Sequence, residues 1–507
     1  MNGVKRLSEL ARAVGGAVAG EDVDITGLAV DSRAVRAGDL FMALPGTRDD
    51  GFRYITDAVG RGARAVMTHE AVRSVPTIVV RDPRRAVAPV AAAFHGHPAR
   101  RLRLIGITGT LGKTSTSLLL ETALAAAGAS VGALGSLGVR QGVPRAGTVG
   151  RTARLTTPDA PSIHATLARF VEAGIGTAVM EVTSHGILQE RVGALEFALG
   201  IFTNLVPDEH LEYHPTAEHY VETKLRFVDL LARGAPLVHA SGDARVASRA
   251  GERGVAVGLG GTDAAPVTIG SVQYHLNGVS FILAVARELR GPGGLMVAPT
   301  ALPIALPLLG RHQLANAALA ATAALLLGVE PDAICAAFES PPPLRRRMEV
   351  VWPGRPLVID DTVGNPRSLR AVFDSVQRLG RHGLRVAFGI RGGRGVTINR
   401  QLAATLAEQM ARLSRAAPVR LVVTASADAA SGANRVSDDE RAVVVEVLDR
   451  AGTPYVFEPT LAAAVHRILD GCRPDELVLL LGAQGMDGAA ELVRGQLRTL
   501  SGVARNP

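Results

Sequence analysis

GITGTLGKTSTSLLL, residues 106–120, sets an apolar run, closely spaced glycines, a lysine, two hydroxyl residues and a helix-forming stretch in succession. An apolar strand that ends in glycines and opens a helix presents backbone N–H groups and a positive helix end to a phosphate. Gly109, Thr110, Gly112, Lys113, Thr114 and Ser115 are therefore candidate phosphate-loop residues. Lys113 adds a point charge, and Thr114 or Ser115 offers a hydroxyl to Mg²⁺. The glycine spacing is shorter than the full G-x-x-x-x-G-K-[ST] pattern, so the strand–loop–helix context carries the assignment. Such a loop alone does not say what the phosphate is for.

The same rhythm continues on both sides. Apolar strands TAVMEVT and LGIFTNL alternate with helical stretches, which is the βαβ pattern of a parallel sheet. Residues 1–99 form a first block of short strand-like runs (ITGLAV, DLFMAL, ARAVMT, PTIVV) and two helical ones. Residues 100–341 form the central block, which ends at the proline run Pro341–Pro343, where no helix can continue. Residues 342–507 repeat strand–helix units (PLVIDD, LRVAFGI, VRLVVTA, ELVLLLGA). The expected fold is α/β in three domains: a small N-terminal one, a central P-loop domain on a parallel sheet, and a C-terminal Rossmann-like one. The Gly- and Val-rich residues 250–308 alternate and read as antiparallel strands inserted in the central block.

Composition excludes several classes. The chain has 507 residues, ample for several cores. No apolar run reaches the roughly 18 residues that span a bilayer, and the start lacks the apolar core of a secretory leader. The expectation is a cytoplasmic protein. The net charge of +8 is spread along the chain without aromatic interleaving, so no nucleic-acid partner is expected. Cys335 and Cys472 have no metal-type spacing and read as plain buried thiols.

One count is sharper. Of 55 basic residues only Lys5, Lys113 and Lys224 are lysine. Lys113 lies in the loop. Lys224 closes IFTNLVPDEHLEYHPTAEHYVETKLRF, residues 201–227, a stretch dense in polar groups after an apolar strand, with His210 as a candidate metal ligand. A lysine amine can lose its proton and add CO₂ to give a carbamate, which arginine cannot do. Glu181 ends the strand before MEVTSHGILQERVG, residues 180–193, where α/β sheets hold ligand groups. A carboxylate there can hold Mg²⁺, or it can be a helix cap or ion-pair partner.

GTLGKT, TTPD at 156–159, EVTSH, FTNLVPDEHLEYHPT and Lys224, in this order, resemble the motifs of the Mur ligases. The similar branch is the MurE type, which adds the third amino acid to UDP-N-acetylmuramoyl-L-Ala-D-Glu. The N-terminal run DSRAVRAGDLFMALPGTRDDGFRYITDAVGRGARAV, the helix GRHQLANAALAATAALLLG and RRRMEVV extend the resemblance over about residues 25–365. It implies an ADP-forming acid–amino-acid ligase, with ATP and Mg²⁺, a UDP-MurNAc-peptide and a free amino acid as reactants, acting as a monomer. Lys113 and Thr114 would hold phosphates and Mg²⁺, Glu181 and His210 the catalytic magnesium, and Lys224 would be carbamylated. Ser32 would contact the UDP moiety. Thr156, Thr157, Ser184 and Arg191 would contact the muramoyl-peptide. Asn316 would lie near the adenine, with Arg347 and Asp361 reaching the nucleotide from the third domain. Closure of that domain would keep water from an acyl phosphate.

The departures concentrate late in the chain. Leu111 replaces an Asn, Phe52 replaces a His, and one extra residue stands near Asp208. DDTVGNP, residues 360–366, loses a Tyr and a His. The branch's D-N-P-R gives way to TASADAASGANRV, and its G-K-G-H-E to GAQGMD. The expected function is addition of an amino acid with non-standard specificity. The alternatives are a Mur-type ligase acting on another carboxylated precursor outside the main peptidoglycan pathway, and a non-catalytic relative that binds these ligands.

Overall fold

A computed structural model describes residues 3–46, 50–142, 155–207, 213–260, 264–275, 278–377, 379 and 382–500. The chain is α/β, and its strands form three main sheets. Contacts divide it into two units, one built mainly from residues up to Pro342 and one mainly from Pro343 onward.

The N-terminal sheet has five strands: β1 (Ala17–Ala19), β2 (Gly27–Ala29), β3 (Asp39–Met42), β4 (Ala65–Thr68) and β5 (Thr77–Val79). Their order is β1-β5-β4-β3-β2, parallel except for β1. DLFM of β3 and AVMT of β4 are buried along their whole length, as expected of parallel strands covered on both faces. Helix α1 (Pro83–Phe94) packs its apolar side on this core and starts at Asp82, whose carboxylate caps the Arg85 N–H.

The central sheet has ten strands. They are β6 (Arg103–Thr108), β7 (Val131–Gly135), β8 (Gly138–Gln141), β9 (Thr177–Glu181), β10 (Leu199–Phe202), β11 (Leu237–Ala240), β12 (Gly254–Gly258), β13 (Val267–His275), β14 (Gly278–Val285) and β15 (Thr300–Leu306). Their order is β8-β7-β9-β6-β10-β11-β12-β13-β14-β15. The strands expected in residues 250–308 lie in the central sheet, and one of their pairings departs from the antiparallel reading. β12 to β15 extend the central sheet itself, and β12 pairs parallel with β13. Period-two alternation reports which face is buried, not which sheet a strand joins.

Register positions the site. β6 lies between β9 and β10, with Glu181 opposite Ile107 and Phe202 opposite Thr108. Helix α2 (Lys113–Ala126) leaves directly from the loop after β6. Glu181 and the residues after Phe202 thus arrive beside that loop. Helix α3 (Ala217–Leu225) brings Lys224 to the same place. Thr216 caps the His219 N–H, a contact worth ~1 kcal/mol.

The C-terminal sheet has six strands: β16 (Glu349–Trp352), β17 (Leu357–Asp361), β18 (Gly383–Gly389), β19 (Val419–Thr424), β20 (Val456–Glu458) and β21 (Glu476–Leu481). The order is β16-β17-β21-β18-β19-β20, all parallel but β16. Helices α4 (Val396–Ser414) and α5 (Asp438–Arg450) are among those that cover it. The two cysteines are partly exposed, not buried, and burial of their surroundings still pushes both thiols up, Cys472 to about 11. No helix of the described residues is long and apolar enough to cross a membrane.

Candidate active site

The loop after β6 turns on two glycines at φ values where any side chain would be strained. Gly109 has φ +135° and Gly112 has φ +86°. A Cβ on Gly109 would lie 2.0 Å from Thr203 Oγ1, and one on Gly112 would lie 2.3 Å from Asn316 Oδ1. Asn316, expected near the adenine, therefore lies against the loop. Asn204 clamps the peptide of Leu111 from both sides: its Oδ1 accepts the Leu111 N–H at 3.0 Å and its Nδ2 donates to the Leu111 carbonyl at 3.0 Å. The loop holds position 111 by its backbone, which explains why Leu is accepted there. Thr110 Oγ1 is 2.8 Å from Tyr220 Oη and accepts the Val206 N–H.

Glu181 is fully buried. Its Oε2 accepts from Thr114 Oγ1 at 3.0 Å and from Ser136 Oγ at 3.3 Å, and its Oε1 accepts from Ser136 N at 2.9 Å. No arginine or lysine pairs with it among the described residues. A dry carboxylate held only by neutral donors beside a hydroxyl is a site that suits a hard cation with oxygen ligands. Ser136 was not legible as a site residue, because nothing in the run around it marks chemistry.

Lys224 is buried and donates to the Gly109 carbonyl at 2.7 Å and to Thr108 Oγ1 at 3.4 Å. A last-turn position favours a cation by roughly 0.3–1 kcal/mol through the helix dipole. Burying an unpaired ammonium costs several kcal/mol, so desolvation wins. Burial, with Lys113 adding like charge, holds the Lys224 amine well below the ordinary lysine range. Lys113 donates to Gly109 O at 2.8 Å and Thr110 O at 3.0 Å. His210, with Asp208 and Glu209, lies outside the described residues.

Three family models match the chain in order. These are the Mur ligase family catalytic domain at residues 24–100, the Mur ligase middle domain at 107–324, and the Mur ligase glutamate ligase domain at 346–484. A UDP-N-acetylmuramyl-tripeptide synthetase from a Roseiflexus species is 33% identical over 92% of this chain and 91% of its own length. The chain belongs to the Mur ligase family. A second Mur relative, a UDP-N-acetylmuramoyl-L-alanyl-D-glutamate–2,6-diaminopimelate ligase from Streptomyces avermitilis, is 31% identical over 95% of this chain and 92% of its own. The fold of this Mur ligase is similar to the MurF ligase of Thermotoga maritima solved with ADP, with a TM-score of 0.63, 17% identity, and coverage of 94% and 98% of the two chains. Members of the family are ATP-dependent ligases, and this chain is one.

The remaining expected site residues of the Mur ligase fall into two places. In the first, Thr157 is a hub. Its Oγ1 donates to the Glu181 carbonyl at 2.9 Å and accepts from Thr183 N at 3.0 Å, and its own carbonyl accepts from Arg191 at 2.6 Å. Thr156 Oγ1 is 2.9 Å from Ser136 Oγ and so is tied to Glu181. Ser184 is buried at the start of the short helix Ser184–Leu188. Arg191 lines a cavity of about 540 Å³ with Arg84, Asp159 and Gln189. An adjoining cavity of about 660 Å³ holds Ser32 with Arg33, Phe41 and Tyr54, and Asp31 and Leu44 line both. The Ser32 hydroxyl, with Arg61, holds the Asp57 carboxyl there below its usual range.

The second place is in the C-terminal unit. Asp361 accepts the Met348 N–H at 2.7 Å, and burial pushes it up to about 6 against the pull of Arg347. Arg346 and Met348 both have φ +55°, so Arg347 stands on a strained turn. Arg346 anchors that turn on Asp360, Asp487 and the Gly482 and Ala483 carbonyls. Burial pushes Asp360 up to about 7.

Proposed function

We propose that this Mur ligase uses ATP to activate the terminal carboxylate of a UDP-N-acetylmuramoyl-dipeptide, UDP-MurNAc-L-Ala-D-Glu, and joins it to an amino acid of non-standard type. The observation that carries the reading is the convergence of Thr114, Glu181, Lys113 and Lys224 on one phosphate loop. The names of the two relatives point to the same acceptor. Residues 1–99 would hold the UDP-sugar, 100–341 the nucleotide, and 342–507 the amino acid.

The acceptor carboxylate attacks the terminal phosphoryl group of ATP, and the bond to ADP breaks. The amine nitrogen then attacks the acyl carbon, loses a proton, and phosphate leaves. Lys113 and the N–H groups of the loop offset charge on the transferring phosphoryl group. Thr114 and Glu181, with His210, would hold Mg²⁺, which when bound neutralises phosphate charge. Lys224, as a neutral amine, takes up CO₂ by forming an N–C bond and releasing a proton. Its carbamate then supplies a negative group at the loop. Thr157 and Arg191 orient the muramoyl-peptide, and Ser32 the uridine diphosphate.

A phosphate-release assay with UDP-MurNAc-L-Ala-D-Glu, ATP and a panel of amino acids tests this. Turnover with that acceptor is expected. Silence with it but turnover with another carboxylated precursor replaces the acceptor, and tight binding without phosphate release under all conditions replaces the enzyme reading.

A further inference from the structure

α/β sheets hold ligands at the carboxyl ends of their strands. In the C-terminal unit the five parallel strands leave such ends: the longer loops are residues 362–365 after β17, 390–395 after β18, 425–437 after β19 and 482–488 after β21, and the edge strand β20 ends in Glu458, which pairs with Arg467. Under the reading above, the incoming amine is bound here, so what these loops offer decides which amine is accepted.

Their carboxylates are already engaged. The loops carry two, Asp428 and Asp487. Asp428 accepts the Leu461 and Ala462 N–H groups that open the helix Leu461–Leu469. Asp487 pairs with Arg346. At the strand ends, Asp360 is buried on Arg346, and Asp361 accepts the Met348 N–H. Glu440 reaches the 390–395 loop from α5, but its carboxylate accepts the N–H groups of Gly393, Arg394 and Gly395. Asp439, exposed in the first turn of α5, lies beyond the loops.

The positive groups are on the loops themselves. Arg391 donates to the Gly364 carbonyl and so bridges the loops after β17 and β18. Arg394 and Arg435 are exposed on the loops after β18 and β19. Between β18 and β21 the floor is apolar. Met486 is fully buried, and a Cβ added to Gly389 or Gly482 would lie 2.6 or 2.7 Å from its Cγ. Ser426 Oγ sits 4.0 Å from its sulfur.

A second ammonium entering this face would meet guanidinium groups over an apolar floor, with loop and strand-end carboxylates already held by other donors. We propose that this ligase takes an α-amino acid whose side chain carries no positive charge and discriminates against diamino acids. The proposal rests on the ligase reading, and one experiment separates the two. Enzyme, ATP, Mg²⁺ and UDP-MurNAc-L-Ala-D-Glu are incubated with hydroxylamine, which displaces phosphate from an acyl phosphate whatever the amino-acid site prefers. Hydroxamate formation upholds acyl activation. Its absence with this and other carboxylated acceptors overturns the ligase reading and the proposal with it. Glycine, L-alanine, L-serine and L-glutamate are then compared with L-lysine, L-ornithine and meso-diaminopimelate. The expected result is a kcat/KM at least tenfold higher for the best of the first group. A diamino acid as the best substrate overturns the proposal. Gln484→Glu, which adds a carboxylate at an exposed position of the β21 loop, is expected to move the ratio tenfold toward L-lysine through KM. A ratio that stays put counts against this face as the selector.

Discussion

Lys113 and Lys224 donate to the same oxygen, the carbonyl of Gly109, at 2.8 and 2.7 Å. Two ammonium groups on one acceptor in a buried site repel each other, and low dielectric strengthens that repulsion. The arrangement is relieved when Lys224 is neutral, and inverted to attraction when Lys224 carries a carbamate. In a chain that otherwise uses arginine, with Lys5 the third lysine, this relationship sets Lys224 apart.

Activity is expected to depend on CO₂. Below its lowered pKa the Lys224 amine is protonated and cannot add CO₂, so the requirement steepens as pH falls. Bicarbonate added to CO₂-depleted enzyme restores phosphate release. Lys224→Ala loses roughly 100-fold or more, and short carboxylates recover part of it. A variant as active as the parent rules the carbamate out.

Glu181→Gln keeps one acceptor for Thr114 or Ser136 but removes the charge. Its phosphate release is expected to fall roughly 100-fold, with a higher half-saturating Mg²⁺ concentration. The titration to run is rate against Mg²⁺ for parent and variant. Superimposable curves would show that Glu181 serves only to fasten Thr114 and Ser136.

Asn204→Ala removes both bonds to the Leu111 peptide and leaves its partly buried N–H unmatched, while the Leu111 carbonyl keeps the Thr203 hydroxyl as donor. A loss of about 1–3 kcal/mol of loop stability follows. It is read as weaker binding of a non-hydrolysable ATP analogue by calorimetry. Unchanged affinity means the loop is held by Thr203 and Val206 alone.

His164 is fully buried between elements of the first unit, and neither ring nitrogen has a partner among the described residues. Burial, with His95 and His97 adding like charge, lowers its pKa to about 4. The unfolded chain, with an ordinary histidine, binds the extra proton first. Stability is therefore full above about pH 6.5 and is lost as pH falls toward 4, by on the order of 3 kcal/mol. His164→Phe, which needs no partner, should raise the melting temperature more at pH 5 than at pH 8. An equal shift at both values would place the acid sensitivity elsewhere, with buried His312, also lowered to about 4, the next group to vary.

Much of the candidate site was legible because the pieces of a phosphate loop are local. A strand, two glycines, Lys113 and Thr114 are contiguous, and backbone sterics and the helix end act over a few residues. The strands at 177–181 and 199–202 could be read from their apolar runs. The scarcity of lysine pointed to Lys224 without any coordinates. The contacts that fasten these pieces were not legible. Ser136 reaches Glu181 across 45 positions, and Asn204 reaches Leu111 across 93. Neither residue carries a signal of its own, since any serine or asparagine reads as a turn or cap. The parallel pairing of β12 with β13 was not legible for a related reason: alternation fixes a strand's faces, while pairing partners are chosen by the sheet edge that the preceding strands leave open.

The sequence by itself determined most of the elements, the stretch with the form of a phosphate loop, and the scarcity of lysine that singles out Lys113 and Lys224, because those follow from periodicity, backbone geometry and composition. Only the tertiary structure decided that Lys224 is dry and shares an oxygen with Lys113, that Glu181 has no cationic partner among the described residues, and that the carboxylates of the C-terminal loops are engaged. Burial and pairing are properties of residues far apart in the chain, and they exist only once the sheets have assembled.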